Sequence, residues 1–134
     1  MDLGQKAALI ALLLLLAGCG TQSIEQTGGA VAGENVKTFM LTGENFKFMM
    51  EGQEGPEIKV NVGDTVRVEF SSTEGFHDWV VDEFQAATER VKTNGTTSVE
   101  FVADKAGTFE YYCSVGSHRQ MGMKGKLIVV EALS

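Results

Sequence analysis

"PEIKVNVGDTVRVEF", residues 56–70, decides the fold class. Ile58, Val60 and Val62 alternate with Lys59 and Asn61, and Val66, Val68 and Phe70 alternate with Arg67 and Glu69. A period of two, rich in β-branched residues, belongs to strands that each bury one face. Gly63-Asp64 supplies the turn signal between them, and Pro56 stands just ahead of the first strand, where it needs no ladder partner.

The same grammar continues outward. "HDWVV" (77–81) is a shorter β-rich run, Asn94-Gly95 marks another turn, and "TSVEFV" (97–102) follows it. "TFEYYC" (108–113) places Phe109, Tyr111 and Cys113 on one face, and "KGKLIVVEA" (124–132) forms a last strand. Short strands at regular spacing with turns between them predict an all-β, Greek-key β-sandwich, antiparallel or mixed. "DEFQAATERV" (82–91) is ambiguous, because Phe84, Ala87 and Val91 also fit one face of a helix. Trp79 is expected to anchor the core, and Met40, Met49 and Met50 to fill core or edge gaps.

The amino-terminal quarter reads differently. Residues 7–18, "AALIALLLLLAG", form an apolar run too short to cross a bilayer as a helix but right for the core of a signal peptide. "LAGC", Leu16 to Cys19, resembles the lipobox of bacterial lipoproteins, in which cleavage leaves the cysteine first and acylated. That resemblance implies a signal peptide over 1–18, lipidation of Cys19, and an extracytoplasmic, membrane-anchored location on the periplasmic side or cell surface. Residues 20–36 are Gly-, Thr- and Gln-rich without hydrophobic period and read with Cys19 as a lipidated linker, 19–36. The folded domain is then expected over 37–134.

The formal net charge is −7 at pH 7. This disfavours nucleic acid, which needs a basic stripe. Between Tyr111 and Val130 the chain nevertheless carries Arg119, Lys124 and Lys126 and no acid. A locally basic patch of this kind would steer an acidic partner, or else form an ordinary solvated face.

With Cys19 committed to the anchor, Cys113 is the one cysteine left, and the chain has only two histidines, His77 and His118. An odd cysteine in an exported protein has three readings: a small buried hydrophobe, a nucleophile activated by histidine, or a metal ligand. Cys113, His118 and Met123 stand at Cys-x4-His-x4-Met, in a short loop between two predicted strands. Thiolate, imidazole and thioether are donors that both Cu(I) and Cu(II) accept, and His77 would complete the trigonal His2Cys set with a weak axial methionine. Zinc has little use for a thioether.

"AGTFEYYCSVGSHRQMGMKGKLIVV" resembles the ligand loop of the cupredoxins, the blue copper proteins typified by plastocyanin and azurin, and its ligand spacing is similar to that of rusticyanin. "PEIKVNVGDTVRVEF" resembles the family's second and third strands, and "FHDWVV" its first-histidine segment. The resemblance implies one type 1 copper ion held by His77, Cys113, His118 and Met123. It implies a monomer that passes single electrons between redox partner proteins such as cytochromes or oxidoreductases, not an enzyme. It also implies that His118 is the exposed ligand, within an apolar patch to which Val115, Met121 and Gly122 contribute. Met123 is followed by Lys-Gly-Lys, as in the family, which favours it over Met121 as the axial ligand. Two features depart from the family pattern. Asp78 stands where an Asn commonly follows the first histidine, and no proline lies between Cys113 and His118, which suggests a less rigid loop. Copper capture and delivery through the same residues is the main alternative. A thiol enzyme built on Cys113 and His118 would lack an orienting carboxylate near His118 and leave Met123 unexplained.

Overall fold

The computed structural model describes residues 36–133. The predicted signal peptide, Cys19 and almost all of the predicted linker lie outside them.

The alternation read in the sequence becomes two packed sheets. The first orders its strands β10-β5-β1-β2-β3, with β1 at Val36–Glu44, β2 at Lys47–Met50, β3 at Gln53–Glu54, β5 at Thr65–Ser72 and β10 at Thr96–Val102. The second runs β4-β12-β11-β7-β8, with β4 at Glu57–Asn61, β7 at Val80–Val81, β8 at Ala86–Ala87, β11 at Gly107–Tyr112 and β12 at Lys124–Val130. A short ribbon pairs β6 (Phe76–His77) with β9 (Val91–Lys92). β1 runs parallel to β5, and β4 parallel to β12, while the other pairs are antiparallel, so the sandwich is mixed.

Inward side chains of both sheets meet in one core. Leu41, Phe48, Val66, Val68 and Phe70 come from the first, and Ile58, Val60, Tyr111, Leu127 and Val129 from the second. Each such side chain contributes about 1.5–3 kcal/mol when fully withdrawn from water. Trp79 is fully buried, as expected, and its ring lies 5.4 Å from Tyr111 and 6.0 Å from Phe101. The Gly63-Asp64 turn forms as read: the Asp64 carboxylate accepts the Asn61 N–H at 2.8 Å, and Gly63 takes φ +91°.

Two expectations change. The ambiguous stretch is not an amphipathic helix. It is a single 3₁₀ turn at Asp82–Phe84 followed by β8 and β9, with Ala86 buried and Ala87 exposed. Met40 is not a core filler: it sits on the outer face of β1, 71% exposed, because Phe39 and Leu41 take the inward side.

Candidate metal centre

All three strong donors lie at one end of the sandwich. His77 ends β6, held by its register opposite Val91. Cys113 follows the last residue of β11, and Met123 precedes the first of β12. Because β11 and β12 are antiparallel neighbours, the ladder itself brings these two together: the Cys113 N–H donates to Met123 O at 3.1 Å. The intervening loop doubles back through tight turns. His118 N–H donates to Val115 O, and Met123 N–H donates to His118 O, each at 3.0 Å. Gly116 at φ +51° and Gly122 at φ +102° make those turns possible without a proline. A backbone hydrogen bond from His118 N–H to Val115 O thus closes the stretch between Cys113 and His118.

His77 Nδ1, His118 Nδ1 and Cys113 Sγ form a triangle with edges of 3.2, 3.5 and 3.8 Å. A point equidistant from these corners lies about 2.0 Å from each, close to a first-row metal–nitrogen bond and slightly inside a metal–sulfur bond. The three are the one His/Cys/Asp/Glu cluster of metal-binding geometry among the described residues. His77 Nε2–H donates to Glu74 O at 2.7 Å, which fixes the tautomer and leaves the Nδ1 lone pair facing the centre. Two imidazole nitrogens and one thiolate suit copper, and the buried Met123 beside them offers the soft axial donor that such sites use. Met123 packs under Gly43 of β1: a Cβ there would meet its methyl at 3.1 Å and the Phe70 ring at 2.6 Å. Met121 is 54% exposed, and its sulfur accepts a weak hydrogen bond from Ser117 Oγ at the surface.

Burial pushes the Cys113 thiol up, while backbone hydrogen bonds from Asp78 and Val115 pull it the other way. Burial, and then the neighbouring His77, lower the His118 imidazole, which favours the neutral form a metal requires. His77 is 2% exposed, whereas His118 is half-buried and lines a mouth with Asn45, Phe46, Glu74, Gly75, Phe76 and Val115. Phe46 meets the His118 ring edge-on at 4.8 Å.

Several contributors escaped the sequence reading. Phe46 and Phe76, 37% and 40% exposed, supply much of the apolar mouth. Neither stands near Cys113 or His118 in the chain, and no spacing announces them. The basic patch also changes character. Arg119 Nε lies 2.7 Å from Glu110, with its guanidinium over the Tyr112 ring, Lys124 reaches the same Glu110 at 3.5 Å, and Lys126 reaches Glu57 at 3.7 Å. Both acids sit outside the segment that looked purely basic.

Fold and donor set together define a copper-binding β-sandwich. The family model for copper binding proteins of the plastocyanin/azurin family matches residues 38–130, and the chain belongs to that family. Copper is accordingly its cofactor, and the geometry above accommodates it. Among solved structures, the chain is similar to auracyanin A, a "blue" copper protein from Chloroflexus aurantiacus (TM-score 0.60, 23% identity, 71% of this chain and 99% of that one). It is also similar to rusticyanin from Thiobacillus ferrooxidans (TM-score 0.58, 26% identity, 72% and 78%). L-ascorbate oxidase from Cucumis sativus is 33% identical over 101 residues, covering 64% of this chain; the chain spans 17% of that enzyme's length.

Proposed function

We propose that the protein is a blue copper electron carrier, with His77, Cys113, His118 and Met123 as the ligands. The observation that carries this reading is the donor triangle whose centre is buried on the His77 side and reaches an apolar mouth on the His118 side. Bound copper supplies a one-electron couple, Cu(II)/Cu(I). The chain's part is to hold donor positions that both oxidation states accept, so that little has to move. Glu74 O fixes His77, and the β11–β12 ladder fixes Cys113 against Met123. Phe46, Phe76 and Val115 line the mouth at His118 and offer a partner an apolar docking face, with the exposed Met121 following in the same loop.

The partners are redox proteins such as cytochromes or oxidoreductases. Glu110 compensates Arg119 and Lys124, while Glu74 lines the mouth itself, so we expect charge at Glu74 to influence docking more than charge at Arg119. The "LAGC" motif and the Gly/Thr/Gln-rich stretch after it support an acylated Cys19 at the extracytoplasmic membrane surface, with the folded domain on a tether. The length shared with ascorbate oxidase is too small a part of that enzyme to bring its activity here.

The test is a redox titration of the copper-loaded protein followed by a chelator challenge. A reversible one-electron couple with copper retained is the expected result. Ready surrender of copper to the chelator would overturn the carrier reading in favour of copper delivery.

A further inference from the structure

Asp78 departs from the family pattern, and the structure gives the departure a counterpart. Its Oδ1 accepts the Ser114 N–H at 2.6 Å, and its Oδ2 accepts the Ser114 hydroxyl. The residue after His77 is thereby clasped to the residue after Cys113. An amide could offer one acceptor oxygen to these two donors, whereas the carboxylate offers two and both are used. The cost is a charge in a 3%-exposed position beside the copper centre.

Arg90 meets that charge. Its Nε lies 3.4 Å from Asp78 Oδ2, and its Nη2 donates to Ser114 Oγ at 2.9 Å, so the guanidinium touches both halves of the clasp. It is the one cation paired with Asp78 among the described residues. Its position follows from the fold: Val91, the next residue, pairs with His77 in the β6–β9 ribbon, which brings the chain back alongside the first ligand. Exposed ion pairs contribute little as a rule, and the Arg90 side chain is 53% exposed, but its partner is 4% exposed, so one end of this pair is shielded from water.

We propose that Arg90 is a positioning residue of the copper site, holding the Asp78–Ser114 clasp and cancelling the Asp78 charge so that Cu(II) is not favoured over Cu(I). The inference rests on the copper reading above. An uncompensated anion beside the metal stabilises the doubly charged ion more than the singly charged one. The clasp also joins the segments that carry His77 and Cys113, which fixes their 3.8 Å separation.

The experiment compares wild type, R90Q, D78N and the double variant, reading the reduction potential of the copper forms and the thermal unfolding of the copper-free forms. R90Q should shift the Cu(II)/Cu(I) ratio at fixed potential about tenfold toward Cu(II), a drop of about 59 mV for one electron. In the D78N background the same change should shift the ratio by less than about threefold, and R90Q should lower the copper-free unfolding midpoint more when Asp78 is present than when it is not. A shift below about threefold in wild type, one toward Cu(I), or one undiminished by D78N overturns the inference. So does an unfolding midpoint that responds to R90Q equally in both backgrounds. A wild-type protein with no copper band overturns the copper reading itself, whereas a coloured wild type with an insensitive R90Q overturns only the role of Arg90.

Discussion

The two histidines of the centre present the same atom, Nδ1, from opposite circumstances. His77 is enclosed: its far nitrogen is bound to Glu74 O, its strand is paired with β9, and Gly75 crowds its ring. His118 sits in a hydrogen-bonded turn, half-buried, with the Phe46 ring at its edge and the mouth beyond. One side of the site is built to stay put and the other to be reached. Burial and a second hydrogen bond make a ligand a frame, while an apolar rim makes a ligand a contact.

The comparison breaks most severely on the closed side. Gly75 has φ +95°, and a Cβ there would lie 2.7 Å from His77 Nε2, against the nitrogen that anchors the ring. Gly75→Ala should cost about 1–2 kcal/mol of stability through the backbone alone. It should also weaken copper binding about 10- to 100-fold through loss of the outer hydrogen bond, read by competition with a chelator. The floor of the site comes next. Met123→Leu should raise the reduction potential by an amount on the order of a tenfold change in Cu(II)/Cu(I), about 59 mV, because a soft donor is lost and the pocket becomes more apolar. Met121→Leu, at an exposed position, should leave potential and spectrum nearly unchanged.

On the open side, Phe46→Ala should preserve the copper spectrum and slow electron exchange with a partner about fivefold, roughly 1 kcal/mol of docking or alignment. If it weakened copper binding as much as Gly75→Ala, the two sides would not differ as described. The last effect appears only at alkaline pH and concerns the buried core. Tyr111 is fully buried, its hydroxyl donates to Pro56 O, and burial pushes its phenol far above 10. The folded state therefore keeps a proton that the unfolded chain releases near pH 10. Stability from this group is intact below pH 10 and falls by about 1.4 kcal/mol per pH unit above it. Denaturant unfolding across that range should show the slope, and Tyr111→Phe should flatten it.

The strands over Glu57–Asn61, Thr65–Ser72, Gly107–Tyr112 and Lys124–Val130 were legible because each buries one face, and alternation is what that requires. β1 was not, since inward Gly43 and outward Met40 invert the expected polarity. Gly43 is small because Phe70 and Met123 crowd it, a constraint set by residues distant in the chain. Cys113, His118 and Met123 were legible because one loop carries all three at fixed spacing, and His77 because no other histidine existed to complete the set. Phe46, Phe76 and Arg90 reach the site only through folding, as does Glu110's compensation of Arg119 and Lys124.

The most direct test adds Cu(II) to the copper-free protein and to its Cys113→Ser variant and records visible absorption. An intense thiolate-to-copper band in the first, absent from the second, is the result predicted here. A wild-type protein that stays colourless, or a band that survives loss of the Cys113 sulfur, would contradict the central claim.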